Sequence, residues 1–434
     1  MKRGFYTIMS AQFFSSLADN ALFVAAVELL RTGGAPEWQR AALVPMFALF
    51  YVVLAPVVGA FADAFPKGRV MFISNAIKVA GCLMMLFGSH PLLAYAVVGL
   101  GAAAYSPAKY GILTELLPAS QLVKANGWIE GLTIASIILG VLLGGQLVGP
   151  VLAPLLLAID VPGLHLGIET GAQAAIATLI SLYVVAAWFN TRIPLTGVEM
   201  RPLRHDPQHS ALGSTLALLP DFWRCNRRLW HDRLGQISLA TTTLFWGVSG
   251  NLRYIVLAWA GAALGYSTTS ASALVGVVAI GTAAGAVLAS ARMRLDGATR
   301  VIPLGMVMGV LVILMNFIDT LWLAVPFLIV LGGLGGFLVV PMNALLQHRG
   351  HNLMGSGRSI AVQNFNEQAC ILGLGGLYAL STKLGLSAFG AISVFGVVVA
   401  GTMWLIQRWH CHNCKHHSKE VEYLLHLARH DAHH

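Results

Sequence analysis

Six ionisable residues stand inside long apolar runs of this sequence: Asp19, Lys78, Lys109, Glu130, Arg253 and Glu367. A charge in hydrocarbon is costly, so such residues face a cavity or a partner and are functional by default. Asp19 lies about 13 residues into its run, roughly 20 Å deep at the rise of an α-helix. Ser15, Ser16, Asp19 and Phe23 share a helical stripe, with Asn20 beside it. A carboxylate at that depth either holds a cation belonging to cargo or pins two helices through an internal pair. Arg253 shares a face with Thr242, Trp246 and Ser249. Its guanidinium can grip phosphate through two parallel hydrogen bonds, and the competing reading is snorkelling to head groups. Lys109 follows Pro107, which loosens a helix and frees backbone groups, while Ser106 and Tyr110 add polar contacts. Glu130 and Glu367 each follow an asparagine and suit gating pairs with Lys109 or Arg358. Lys78 reads as a lesser candidate that snorkels or pairs with Asp63.

The elements that must carry these residues follow from composition. Of 434 residues, 57% are hydrophobic and only 10% are charged, against about 25% charged in a soluble domain. The bilayer is therefore the solvent for most of the chain. Apolar runs of about 20 residues span it as helices, and twelve are expected: 6–31, 41–63, 69–88, 91–114, 127–150, 170–189, 235–261, 268–291, 300–318, 321–346, 358–382 and 386–408. The long polar interruption near 190–234 divides six from six. With both termini in the cytoplasm, 21 of the 27 Lys and Arg residues fall in cytoplasmic segments, three fall outside and three lie within spans. That asymmetry is what the positive-inside rule demands. The fold class is thus an all-α membrane protein of twelve transmembrane helices in two six-helix bundles. The domains are 1–190, a central cytoplasmic loop 191–234 with an interfacial helix, 235–408, and a His- and Cys-rich cytoplasmic tail 409–434. The formal charge of +9 belongs to this topology, and a nucleic-acid partner is excluded. The Arg- and Trp-bearing stretch Phe222–Arg233 fits an anionic leaflet surface.

The halves echo one another. Ser106-Pro107-Ala108-Lys109 followed by Asn126 to Glu130 answers Val340-Pro341-Met342-Asn343 followed by Asn364 to Glu367. A parallel six-plus-six repeat belongs to the major facilitator architecture, with the substrate path between halves. Gly59-Ala-Phe-Ala-Asp63-Ala-Phe-Pro-Lys67-Gly68-Arg69 resembles the loop 2–3 signature of that superfamily. In this reading Gly59 allows close packing, Gly68 makes the turn, Arg69 stays cytoplasmic, and Asp63 sits against a helix N-terminus and basic partners as a conformational latch.

The strings LADNALF (17–23), FADAFPKGRVMF (61–72), GAAAYSPAKYGILTELLP (101–118), LVKANGWIEGLTIA (122–135) and TTTLFWGVSGNLRY (241–254) resemble the bacterial lysophospholipid transporter family. The resemblance implies a flippase of the bacterial inner membrane. It would move lysophosphatidylethanolamine and related lysolipids from the outer to the inner leaflet, and a cytoplasmic acyltransferase/acyl-carrier-protein synthetase would re-acylate them. Asp19 would then meet the ethanolamine ammonium, with phosphate passing from Arg253 to Lys109. Asn20, Trp246 and Ser249 complete the expected substrate site, and Asp63, Gly68, Arg69, Glu130 and Glu367 the gating set. A drug or metabolite exporter on the same scaffold is the alternative.

Other signals are weak. Cys411 and Cys414 form one CxxC among histidines, half of a zinc site, and a solvated basic tail is the expectation. Val421, Leu424, Leu425 and Ala428 share a face suited to the membrane surface or a partner. His426 and Asp431 have an acyltransferase-like spacing but no fold around them, so no enzyme is expected. The glycines of Leu331–Phe337 lack the Lys-Ser/Thr of a phosphate loop and read as close helix packing. No cofactor is called for.

Overall fold

The computed structural model describes residues 3–116, 119–159, 167–197, 217–354 and 356–431, and among these the regular structure is helical throughout. The helices in chain order are α1 (Arg3–Thr32), α2 (Glu37–Val53), α3 (Ala55–Ala64), α4 (Lys67–Leu86), α5 (Pro91–Leu116), α6 (Ala119–Leu147), α7 (Leu152–Leu157) and α8 (Gly171–Thr191). They continue with α9 (Leu218–His231), α10 (Gly235–Ala263), α11 (Thr268–Arg292), a 3-10 turn (Leu295–Val301), α12 (Ile302–Leu314), α13 (Leu321–Met354), α14 (Ser356–Lys383), α15 (Ala388–His416) and α16 (Ser418–Asp431). Eight of the helical stretches among the described residues are long and apolar enough to cross a bilayer.

The chain forms two compact units. The first holds 1–218 and 266–276, the second 219–265 and 277–434. In the first, α1 packs against α6 and α8, and α4 against α5 and α8. Small residues bring the backbones together. A Cβ on Gly140 would lie 2.7 Å from Leu17 O, and one on Gly144 would lie 2.6 Å from Ala21 O, so α6 seats directly on α1. In the second unit Gly281 and Gly285 of α11 meet Ile329 and Gly333 of α13, while Gly332 and Gly336 of α13 meet Val278 and Thr282. The glycine-rich stretch of α13 is a packing seam, as its lack of phosphate-loop chemistry indicated.

Three elements depart from expectation. The second expected span is two helices, α2 and α3, separated at Leu54. Pro56 lacks the N–H of a continuous helix and its ring opposes the carbonyl four residues earlier, so the helix stops and restarts. Leu54 N–H still closes on Phe50 O at 3.0 Å, and its own carbonyl accepts from Val57 and Val58. Next, Gly68 makes no turn. It sits in the first turn of α4, where a Cβ would lie 3.0 Å from both Asn190 O and Ile193 Cβ. The chain passes from α3 to α4 instead through Phe65, which is extended, and Pro66, and Gly68 lets α4 approach the end of α8. Finally, α16 lies on its own protein. Val421, Leu424 and Ala428 are buried, and α16 packs on the 3-10 turn and α15.

α10 is 29 residues long but falls outside the apolar-span group. Its hydroxyls turn back on the helix: Ser238, Thr241 and Thr242 donate to Leu234, Ile237 and Ser238 carbonyls at 2.9, 2.8 and 3.0 Å. A helix buried on most sides can carry such residues where a lipid-facing helix cannot.

Candidate functional site

The first unit holds a closed polar network at the middle of α1. Lys78 enters from α4 and donates to Asp19 Oδ2 at 2.7 Å and to Ser15 Oγ at 2.9 Å. Ser15 donates onward to Asn75 Oδ1 at 2.8 Å, and Asn75 Nδ2 donates to Asn190 Oδ1 of α8 at 2.7 Å. Tyr183, also on α8, donates its hydroxyl to Asp19 Oδ1 at 2.7 Å. The Lys78 ammonium lies 5.1 Å from the Tyr105 ring centre and 5.5 Å from that of Tyr183, within cation–π range. Room for the lysine stem comes from Gly101, where a Cβ would sit 2.7 Å from Lys78 Cγ and 2.6 Å from Ser74 O.

Lys78 therefore does not snorkel, and its carboxylate partner among the described side chains is Asp19. It lies 11 residues into a 20-residue helix, about 17 Å along the axis, too deep for its stem to bring the head to water. Its side chain is 2% exposed, against 21% for Asp19. Asp19 is thus the reachable member of the pair, with Lys78 and Tyr183 holding one oxygen each. Asn20, by contrast, is buried, donates to Ser16 O at 2.8 Å and packs under Gly140.

Two further charged residues of this unit were not singled out from sequence. Lys67 is buried and donates to Ala62 O at 2.7 Å, satisfying a carbonyl in the last turn of α3. Its signal was a lysine three residues past a helix end. Glu28 is buried near the end of α1, clasped by Arg31 at 2.6 and 2.8 Å, and it accepts from Thr268 at the start of α11. Of the expected gating set, Arg69 is exposed on α4, while the side chains of Asp63 on α3 and Glu130 on α6 lie outside the described residues. Lys109 sits partly buried on α5, which runs through Pro107.

The second unit is built differently. Asn251 Nδ2 donates to Gly247 O at 2.8 Å and across to Ile371 O of α14 at 3.1 Å. Gly247 and Gly250 let α14 come close: Cβ atoms there would meet Cys370 and Ile371 side chains. With this face pinned, Thr243, Trp246, Ser249, Gly250 and Arg253 form the partly accessible stripe of α10, and Trp246 is 36% exposed. Of the expected face of Thr242, Trp246, Ser249 and Arg253, Thr242 is fully buried and bonds back to Ser238 O, while the other three lie on the partly accessible stripe.

Glu367 is buried on α14 and accepts from Gln363 Nε2 at 2.8 Å, while Gln363 also donates to Asn343 of α13. A buried ion pair among the described residues of this unit is one the sequence did not suggest. Arg349 Nη2 and Nε bind Asp232 Oδ2 and Oδ1 at 2.6 and 3.0 Å, and Asp232 Oδ1 also accepts Gly235 N–H at 2.7 Å, tying the end of α13 to the start of α10. Cys411 and Cys414 lie exposed on the last turns of α15, with Cys414 Sγ 3.7 Å from His410 Nε2. Among the described residues no three His, Cys, Asp or Glu groups converge as a metal site.

The network of the first unit thus joins an ion pair, a serine, a tyrosine and two asparagines inside a helical bundle. Comparison with known proteins agrees with such a bundle. The sequence pattern of the Major Facilitator Superfamily matches residues 8–374. The lysophospholipid transporter LplT of Yersinia enterocolitica (serotype O:8 / biotype 1B) is 40% identical over 387 residues, covering 89% of each chain. That of Yersinia pestis (strain Pestoides F) is 39% identical over 386 residues, 89% of this chain and 88% of the other. Among solved structures, the fold is similar to an inward-facing bacterial homologue of the human lysosomal transporter Spinster, with a TM-score of 0.61, 15% identity and coverage of 99% and 98%. It is also similar to the nucleoside transporter NupG, with a TM-score of 0.64, 13% identity and coverage of 94% and 99%. The chain belongs to the lysophospholipid transporter family of the Major Facilitator Superfamily.

Proposed function

We propose that this protein carries single-tailed phospholipids, lysophosphatidylethanolamine among them, from the outer to the inner leaflet of the bacterial inner membrane through twelve spans with both ends in the cytoplasm. The observation that supports it is the Asp19–Lys78 pair: opposite charges inside a span, with only the carboxylate reachable. A zwitterionic head group presents the same two charges. Its ammonium can replace Lys78 at Asp19 while its phosphate, on its way from Arg253 to Lys109, takes up the released lysine, so neither partner is left bare in a low-dielectric site. Tyr183 keeps one oxygen of Asp19 hydrogen-bonded during the exchange.

Arg253 supplies the first phosphate contact through its planar fork, and Lys109 a later one. Trp246 and Ser249 flank Arg253 on the same stripe. The acyl chain stays in lipid, because drawing it through water would cost about 0.8 kcal/mol per CH₂. Asp63, Gly68, Arg69, Glu130 and Glu367 serve the change of state rather than the cargo. Re-acylation by a cytoplasmic acyltransferase/acyl-carrier-protein synthetase consumes the product, and this chain performs no covalent step itself.

The test is uptake of labelled lysophosphatidylethanolamine into vesicles holding the purified protein. Arg253→Ala and Lys109→Ala should each slow uptake by about tenfold or more, the worth of one charge-assisted phosphate contact. Wild-type rates in both variants would end the hand-over, and absence of protein-dependent redistribution in the unmodified chain would end the lipid reading altogether.

A further inference from the structure

We infer that α9 is a docking platform for anionic phospholipid head groups, separate from the cargo residues and independent of which cargo is carried. Its inner face is fully engaged within the second unit. Cys225, Asn226 and Leu229 are buried. Asn226 Oδ1 accepts from Asn366 Nδ2 at 2.8 Å, and Trp230 Nε1 donates to Asn366 Oδ1 at 3.2 Å. Phe222 meets Phe365 edge to face at 5.3 Å, and Trp230 stacks on Trp409 of α15 at 6.3 Å. Just past α9, Arg233 pairs with Glu420 of α16 at 3.5 Å and its carbonyl accepts from Asn413 at 3.4 Å. The segment is held by α14, α15 and α16, so its outward face has a fixed orientation.

That outward face carries Pro220, Trp223, Arg224, Arg227, Arg228 and His231, spaced at three and four residues and all but His231 within three turns. Arg227 and Arg228 are exposed, the Arg224 side chain is 71% exposed, and Trp223 is 51% exposed. Asp221 is the one acid of α9, and it lies 3.7 Å from Arg224 at an exposed site, where screening leaves little interaction. Three guanidiniums beside an exposed indole fit a phosphate-bearing bilayer surface: the arginines take the phosphates and the indole sits at head-group level. α9 ends four residues before α10 begins, so this face is tethered where a span meets its surface. The polar–apolar split that usually lets such a helix enter lipid is here spent on the protein, and the basic side is what remains for the leaflet.

The experiment is native mass spectrometry of the full chain offered phosphatidylglycerol and phosphatidylcholine of equal chain length in competition. Phosphatidylglycerol adducts should predominate. The R224Q/R227Q/R228Q variant should lower the ratio by at least about fivefold, near the value of one basic residue at an anionic surface. R224K/R227K/R228K should keep most of the preference. Exposed substitutions of this kind leave stability nearly unchanged, and the single variants R224Q and R227Q carry the test if the triple variant melts early. An unchanged ratio in the glutamine variants overturns the inference. So does displacement of the lipid by millimolar glycerol phosphate, which would make this a soluble-phosphate site, or capture of an acidic peptide in place of lipid.

Discussion

α1 and α10 open the two halves of the sequence repeat, and they hold their polar middles in opposite ways. In α1 the middle is charged: Asp19 is locked to Lys78, Ser15 and Tyr183 in a network that reaches Asn190. In α10 the buried side of the middle is neutral. Asn251 pins the helix to backbone carbonyls, leaving Arg253 on a separate, partly accessible stripe. Among the described residues the second unit has a buried ion pair, Asp232–Arg349, at the start of α10. An internal pair in mid-helix can be traded for cargo charges. A pair at a helix start that also caps a backbone N–H is structural, because trading it would unseat the helix.

The largest expected effect is therefore at Lys78. Lys78→Met leaves Asp19 without its cation and should cost about 3–5 kcal/mol, read as a large drop in melting temperature, with transport abolished. The double variant Asp19→Asn with Lys78→Met removes both charges and should regain most of that stability without regaining transport. If the double variant melts as low as the single, the pair is not an exchangeable unit. Arg349→Met should destabilise by a similar about 3–5 kcal/mol. Here the double variant with Asp232→Asn should recover less, since the bond from Gly235 N–H to Asp232 is weakened with it. Equal recovery in both halves would erase the contrast drawn between them.

Smaller effects sharpen it. Gly101→Ala forces a Cβ against Ser74 O and the Lys78 stem and should cost about 1–3 kcal/mol, with a further loss of transport if the lysine head is displaced. Asn251→Leu deletes a neutral bond to Ile371 O and should cost about 1 kcal/mol, measured by thermal melting, with uptake reduced only in proportion to folded protein. A complete loss of uptake in Asn251→Leu would move the working site of α10 from the Arg253 stripe to its buried side.

Much of this was legible in the sequence, and the failures have physical causes. Period and charge asymmetry locate the helices because hydrocarbon leaves few alternatives. Pro56 could have announced the break after Val53, but apolar residues on both sides hid it. Asp19 was visible as a deep acid. Its partner was not, since the pair joins residues 59 apart across two helices, and no linear pattern encodes that. Depth alone argued against a snorkelling Lys78, yet surface lysines are so common that the residue was discounted. Gly68 was read as a turn because glycine serves turns and close approach equally, and only the neighbouring end of α8 decides between them. Asp232 and Arg349 carry no mark in the linear sequence, because their burial comes from tertiary packing. The stripe of Trp246, Ser249 and Arg253 was recoverable from helical spacing alone.

The most direct measurement of the central claim is lysophosphatidylethanolamine uptake by the Asp19→Asn variant reconstituted in vesicles, with its melting temperature taken in the same preparation. The amide keeps the shape and the Tyr183 contact but removes the charge that an ammonium would seek. A protein that still folds but melts at a lower temperature, because Lys78 loses its counter-charge, with uptake per folded protein reduced by about a hundredfold or more, the value of a buried charge-assisted bond, is the result expected. Uptake at the wild-type rate in a folded Asp19→Asn protein would show that the intramembrane carboxylate only holds helices together, and the account of charge exchange would be wrong.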